Sequence, residues 1–78
     1  MKSLHFLRIG TDDLERARPY RTRAAALRAF ADVARELEQY GQAIDATVHR
    51  APSRADLAEY PDYVLSLGPR GGLRVMPT

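Results

Sequence analysis

Residues 22–41 constrain the fold most, because they combine a helix start signal, a helix stop signal and one continuous apolar face. Ala, Leu, Arg, Glu and Gln fill this stretch, and these residues lose little side-chain entropy on becoming helical. Thr22 is placed to cap the first free N–H groups, and Gly41 is placed to take the left-handed conformation that ends a helix. The stretch is therefore predicted to form one long helix.

A rotation of 100° per residue divides this helix into an apolar face and a polar face. The apolar face comprises Ala26, Leu27, Phe30, Val33, Ala34 and Leu37. The polar face comprises Arg28, Asp32, Arg35, Glu36 and Gln39. A helix of this kind must lie on another layer, and the rest of the chain predicts that the layer is a β-sheet.

The first strand is predicted over residues 4–9, with Leu4 and Phe6 on one face and His5, Leu7 and Ile9 on the other. Residues 14–21, which follow a turn, allow two interpretations. They either return as a polar edge strand that includes Pro19, or form a short helix capped by Asp12 that breaks before Pro19. The hairpin is favoured, because the turn directly follows a strand and because Pro19 and Tyr20 suit an extended edge.

The second half of the chain predicts three more strands. Residues 46–50 are a β-branched run, and residues 62–67 and 73–76 alternate apolar and polar side chains. The loop at 68–72 is rich in glycines that allow positive φ, and it carries Arg70 at its tip. Between these strands, residues 52–61 predict a short helix capped by Ser53 and ended by Pro61, with Leu57 and Tyr60 facing inward.

Together these elements predict a single small α+β domain over residues 1–78. Its mostly antiparallel sheet has four to five strands, one long helix packs on one face, and a short helix precedes the C-terminal β-hairpin. The helix is expected to meet the face formed by Tyr63, Leu65, Leu67, Leu73 and Val75.

The other face of the sheet has no long helix to cover it, and its apolar content makes it a candidate for binding a second copy, as a homodimer, or a partner protein. The side chains expected there are His5, Leu7, Ile9, Thr47, His49, Val64, Ser66, Arg74 and Met76.

Composition limits the function classes. The chain has no cysteine, which excludes a disulfide framework and a thiolate metal site. The N-terminus does not read as a signal peptide, and no stretch approaches membrane-spanning length, so a soluble cytoplasmic protein is expected. The net charge of +2 conceals a gradient, since residues 1–28 hold seven basic and three acidic side chains. This excess predicts a basic patch that contacts phosphates or an acidic protein surface.

No catalytic pattern emerges, so the chain is predicted not to be an enzyme and to use no cofactor. The three serines lack the Gly-x-Ser-x-Gly elbow of acyl-transfer enzymes, and Ser53 is explained as a helix cap. His5 and His49 lie on predicted strands where they could be neighbours on one face. No carboxylate is spaced to complete a metal site with them, and none is predicted.

Arginines are the candidate contact residues. Arg16, Arg18, Arg21 and Arg23 form a basic group before and at the start of the long helix, and Arg70 lies at the tip of the terminal hairpin. Arginine is enriched at binding hot spots and binds phosphate through its planar fork. The predicted partner is accordingly a protein or ribonucleoprotein complex. The alternative is a small basic nucleic-acid-binding module, whose patch would add Arg28 and Tyr20 to the basic group.

Residues 22–30 and 62–74 together resemble sequences of small proteins carried by bacteriophages and other mobile elements of proteobacteria. In size and in its plan of one helix on a sheet, the chain resembles the anti-CRISPR proteins that inhibit type I systems. This resemblance implies a non-enzymatic inhibitor, acting in the host cytoplasm, that occupies a surface which a CRISPR surveillance complex needs for DNA binding. Many such inhibitors are acidic DNA mimics, whereas this chain is basic. An acidic protein surface or the RNA backbone of the complex is therefore its expected target.

Overall fold

The computed structural model describes residues 3–68 and 72–77, which form one long helix on a five-stranded antiparallel sheet. The elements in chain order are β1 (Leu4–Ile9), β2 (Arg18–Tyr20), α1 (Arg23–Glu38), β3 (Asp45–Ala51), β4 (Tyr63–Leu67) and β5 (Leu73–Pro77). The strand order in the sheet is β2-β1-β3-β4-β5. The predicted fold class is confirmed. Within the described residues, no helix is long and apolar enough to cross a membrane.

Both ends of α1 lie where the sequence predicts them. Thr22 Oγ1 accepts a hydrogen bond of 3.1 Å from the backbone N–H of Ala25. At the other end Gly41 has φ of +73°, and its N–H donates to the carbonyl of Glu38. The N–H of Gln42 donates to the carbonyl of Leu37, which completes a Schellman-type termination.

The helix face that meets the sheet is centred on Phe30, which has no exposed surface. Ala26 and Ala34, one turn before and after it, are also buried, and these small side chains let α1 lie close to the strands. Val33 was predicted on the buried face, but 36% of its surface is exposed. It lies at the margin of the helix that faces β1 and β2, where the sheet is narrow.

The core between α1 and the sheet draws its buried residues from three strands, β1, β3 and β4. The buried residues of this cluster are Leu7, Phe30, Ala34, Ala46, Val48, Tyr63 and Leu65. Leu7 and Ile9 were expected on the uncovered face of the sheet, and this prediction is wrong. Leu7 is paired with Val48 and Ile9 with Ala46 in the β1–β3 register, so both point toward the helix. Leu73, expected in the core, remains 37% exposed.

The face of the sheet opposite α1 is partly covered by two short 3-10 helices, Leu14–Arg16 and Arg54–Asp56. A second cluster forms under these turns from buried Phe6, Ala17 and Ala51, with Leu4, Leu14 and Leu57 packed against them. The expectation of a fully uncovered face is therefore wrong over β1 and β3.

The two short connections differ in detail from their predictions. Residues 14–21 combine both interpretations, since a 3-10 helix is followed by the edge strand that contains Pro19. In residues 52–61 Leu57 does face inward, but Tyr60 is 86% exposed. The Ser53 hydroxyl donates to the Asp56 carboxylate at 2.8 Å and caps no backbone N–H. The helix is only three residues long and ends well before Pro61.

The terminal hairpin of β4 and β5 is confirmed, and its strands pair from Tyr63 with Pro77 to Leu67 with Leu73. Gly68 donates its N–H to the carbonyl of Gly72 at 2.6 Å to close the loop. Neither of these described glycines has positive φ. A Cβ at position 68 would instead lie 3.1 Å from the Gly72 oxygen, which explains the glycine. Arg70 lies outside the described residues.

Phe30→Ala is expected to lower the free energy of unfolding by about 3 to 5 kcal/mol, because it leaves a cavity at the centre of the core. Urea denaturation measures the change. Val33→Ala, on the same helix but at its exposed margin, is the control and should cost under about 1 kcal/mol. Equal losses in the two variants would contradict the placement of α1.

Candidate functional site

The predicted basic group is divided by the fold. Arg16 ends the first 3-10 helix and Arg18 lies on β2, and both line a cleft of about 160 Å³ beside α1. Arg8 of β1 and Asp12 line the same cleft, but the Arg8 guanidinium bonds to Thr47 on the opposite face of the sheet. We call Arg16 and Arg18 the edge arginines. The structure thus brings together two of the four arginines that the sequence singled out.

The edge arginines are held by the register of a short outer strand. Arg18 is the cross-strand partner of Leu7, so its Cα lies beside the margin of the core. Pro19 carries no N–H to offer a further strand, which fits its place at the edge of the sheet. Arg16 and Arg18 are exposed, whereas Arg8 is half-buried and donates through Nε to Thr47 Oγ1 at 3.2 Å. This margin therefore presents positive charge on a rigid support.

Arg21 and Arg23 lie farther along the chain. Arg21 is exposed in the connection between β2 and α1. Arg23 is the first residue of α1, and its guanidinium carbon lies 5.2 Å from the centroid of the Tyr63 ring. This distance is within the range of a cation–π contact. Arg23 therefore belongs to a different part of the surface from the edge arginines.

A second cleft, of about 350 Å³, lies at the end of the sheet where α1 begins. Its lining residues come from five elements and one connection and are His5, Arg23, Arg50, Asp62, Tyr63, Val75 and Pro77. We call it the His5 cleft. His5 and Arg50 are direct partners across β1 and β3, so their side chains leave the sheet on the same face.

His5 and Tyr63 form the polar centre of this cleft. His5 Nδ1 and the Tyr63 hydroxyl are 2.9 Å apart, and their rings are tilted by 56°. Burial lowers the pKa of His5 below its ordinary value, and the charges of Arg50 and Arg23 lower it further, while Asp62 opposes them. Burial also raises the pKa of Tyr63. The imidazole therefore sits in a positive local potential.

Asp62 fixes one wall of the His5 cleft. Its Oδ2 accepts the backbone N–H of Arg50 at 2.7 Å, and its own N–H donates to the carbonyl of Val48. These bonds hold the end of β3 against the start of β4. The Asp62 carboxylate thus accepts a hydrogen bond from the backbone of Arg50, at the point where the Arg50 side chain leaves the sheet.

His49 lies on the opposite face of the sheet from His5, so the possibility that the two are neighbours is wrong. It is buried, and its Nδ1 lies 2.8 Å from the carbonyl oxygen of Ala58. A carbonyl can only accept, so Nδ1 carries the proton and Nε2, 2.9 Å from Thr47 Oγ1, accepts from that hydroxyl. With the bond from Arg8, a continuous chain of donors crosses this face and satisfies the buried imidazole.

Among residues 3–68 and 72–77, no three His, Cys, Asp or Glu side chains come together in an arrangement that could hold a metal ion. The Thr47–His49 pair has the spacing of a nucleophile and base. Its imidazole is only 1% exposed, however, and both of its nitrogens are engaged. We therefore assign this pair to the stability of the sheet.

Arg8, Arg50 and Tyr63 were missed as site residues from the sequence. Arg8 and Arg50 stand alone among apolar or small neighbours, and Tyr63 is indistinguishable from a core aromatic. The two-residue period of the strands held a partial signal for the meeting of His5 and Tyr63. Both residues occupy positions of their strands that face α1. Their meeting depends on the strand order, which the sequence does not encode locally.

No family model matches this chain, and no match was found among curated proteins or solved structures.

The lowered pKa of His5 predicts a pH dependence of stability. The unfolded chain takes up a proton near the ordinary His pKa of 6.5, whereas native His5 does so at lower pH. The free energy of unfolding should therefore fall as pH drops through 6.5 and level off below the native pKa. Urea denaturation between pH 7.5 and about 5 measures this fall, and His5→Gln should reduce it.

Arg50→Gln offers a direct check, because it removes one of the charges that oppose protonation. The pKa of His5, followed by NMR of the imidazole, should rise in this variant. Arg28→Gln, an equal charge change on the exposed face of α1, should leave it unchanged. A native His5 that titrates at or above its ordinary value would contradict the described cleft.

Proposed function

We propose that this protein is a non-enzymatic inhibitor that binds a protein or ribonucleoprotein complex through the edge arginines. The observation that carries the proposal is the convergence of Arg16 and Arg18 on one cleft at the margin of the sheet. Arginines held on a strand and a short turn lose less conformational freedom on binding than arginines in a mobile loop.

The clefts support binding more than chemistry. Beside the guanidinium groups of Arg16 and Arg18, the edge cleft has one carboxylate, that of Asp12, and most of its remaining lining is apolar or aromatic. Val33 and Tyr20 give this surface an apolar centre beside its charges. A charged rim around an apolar patch is the composition of a protein contact.

The resemblance to anti-CRISPR proteins names the first partner to test, a type I CRISPR surveillance complex. The inhibitor would occupy a surface that the complex needs for DNA binding. Its basic edge favours an acidic protein surface or the RNA backbone of the complex over mimicry of DNA. A homodimer formed through the exposed residues of β5, where Met76 is 49% exposed, is compatible with this role.

The first experiment measures whether the purified chain binds type I surveillance complexes and lowers their affinity for target duplex DNA. The double variant Arg16→Glu with Arg18→Glu should weaken binding by about tenfold or more, since opposite charges now face the partner site. Its urea midpoint should stay close to that of the wild type, because both side chains are exposed.

The matched control is Arg28→Glu with Arg35→Glu, which makes the same charge change on the outward face of α1. Binding should survive in this control. Equal losses of binding affinity in the two double variants would show that net charge alone, and not the position of Arg16 and Arg18, causes the effect. A failure to bind any type I complex would contradict the proposed partner.

Nucleic acid is the second candidate, favoured by the half-buried aromatic ring of Tyr20 beside the exposed Arg16 and Arg18 in the same cleft. Such a module would bind duplex or single-stranded DNA by releasing counterions. With three to four phosphate contacts, log Kobs should fall with log[salt] at a slope of about −3 to −4.

Fluorescence anisotropy over a salt titration measures this slope, and Arg16→Gln should make it less steep by about one. Arg28→Gln is the control. Absence of binding at low salt, or a slope that Arg16→Gln does not change, would eliminate this candidate.

A further inference from the structure

We propose that the His5 cleft is a binding site for a phosphate monoester, held by Arg23, Arg50, Tyr63 and His5. This site is separate from the edge arginines and does not depend on the function proposed for them. It accepts a terminal phosphate group, carried either by a small molecule such as a nucleotide or by the end of an oligonucleotide.

Cationic donors converge on the His5 cleft. Arg23 comes from the start of α1 and Arg50 from β3, yet both residues line one cleft and the charges of both act on His5. Asp62, in the same lining, opposes their effect on the imidazole. The two guanidinium groups repel each other, and a bound anion removes that repulsion.

The phenol of Tyr63 has a fixed position in this cleft. The Tyr63 side chain is 93% buried by its position in the core, and its hydroxyl emerges beside His5 Nδ1. The Arg23 guanidinium is set over its ring. Val75 and Pro77 provide an apolar wall on the other side. The cleft volume of about 350 Å³ is in the range of small-ligand sites.

Charge balance selects a phosphate over a carboxylate. A phosphate monoester carries close to two negative charges near neutral pH. The guanidinium groups of Arg23 and Arg50 match this dianion, whereas a bound carboxylate leaves one positive charge uncompensated. The dianion also opposes the effect of the two arginines on His5 and so favours uptake of a proton there. Proton uptake by His5 therefore distinguishes the two ligands.

Protonation of His5 also supplies a donor. In neutral His5, Nδ1 can accept the hydroxyl hydrogen of Tyr63. In the imidazolium both ring nitrogens are donors, so Nδ1 donates to the phenol oxygen and the phenol hydrogen is released toward the ligand. The charged groups that face His5 are Arg23 from α1, Arg50 from β3 and Asp62 before β4, while Tyr20 is its neutral partner on β2.

The experiment is isothermal titration calorimetry of the full chain with inorganic phosphate, AMP and adenosine at low salt. Phosphate and AMP should bind and adenosine should not. Titrations near pH 7 in two buffers of different ionisation enthalpy should reveal proton uptake, and NMR should show that the pKa of His5 rises on binding. Arg23→Gln and Arg50→Gln should each weaken binding by about tenfold or more.

Arg28→Gln, which removes an exposed arginine of the same helix, is the matched control and should bind like the wild type. Tyr63→Phe keeps the ring under Arg23 but removes the hydroxyl, and it should weaken phosphate binding while the urea midpoint shows whether the fold is intact. Should that variant be unstable, His5→Gln tests the same donor network from a half-buried position.

Two comparisons identify the source of the phosphate. Tighter binding of a 5′-phosphorylated oligonucleotide than of AMP, with no binding of its 5′-hydroxyl form through this cleft, would assign the site to nucleic-acid ends. Equal binding of AMP and the oligonucleotide would assign it to small phosphates. Absence of phosphate binding at millimolar concentration, binding without proton uptake, or acetate binding equal to that of phosphate would overturn the proposal. None of these outcomes bears on Arg16 and Arg18.

Discussion

The burial of Phe30 between α1 and the sheet is the contact on which the rest of the structure depends. A single helix has to cover the centre of a five-stranded sheet, and it does so because alanines one turn before and after Phe30 allow a close approach. The sheet is wider than the helix, so its two ends are left open beside α1. The edge cleft and the His5 cleft lie at these margins, where charged side chains can stand next to the core and still reach water.

The two faces of the sheet use different means to satisfy their polar groups. On the helix side, polar side chains are displaced to the margins, where His5 and Tyr63 pair with each other. On the far side, His49 is buried under the short turns and is satisfied by Thr47 and by the carbonyl of Ala58. A buried imidazole without these partners would carry a large desolvation cost. The two histidines therefore lie in distinct settings, one in the covered far face of the sheet and one at the open margin beside α1.

The positions of the charged side chains matter more in this protein than its net charge. The net charge is small, yet arginines from separate parts of the chain meet in two clefts. One is at the outer strand and suits a macromolecular surface, and the other is lined by six segments and suits a compact anion. A chain of this size buries too little surface to support elaborate cavities. In such a fold, binding groups can lie at the margins of the helix layer with little loss in the free energy of unfolding.

The sequence alone determined the position of α1 with both of its caps, the C-terminal hairpin and the fold class, because these depend on local periodicity and on the conformations of Thr22 and Gly41. It also identified Arg16 and Arg18 from local charge density. The facing of β1 was misjudged, since its sides are both apolar and only the pairing of Leu7 with Val48 decides which one meets the helix. The His5 cleft was likewise decided by the tertiary structure. Residues 5, 23, 50 and 63 are far apart in the sequence, and the strand order brings them together.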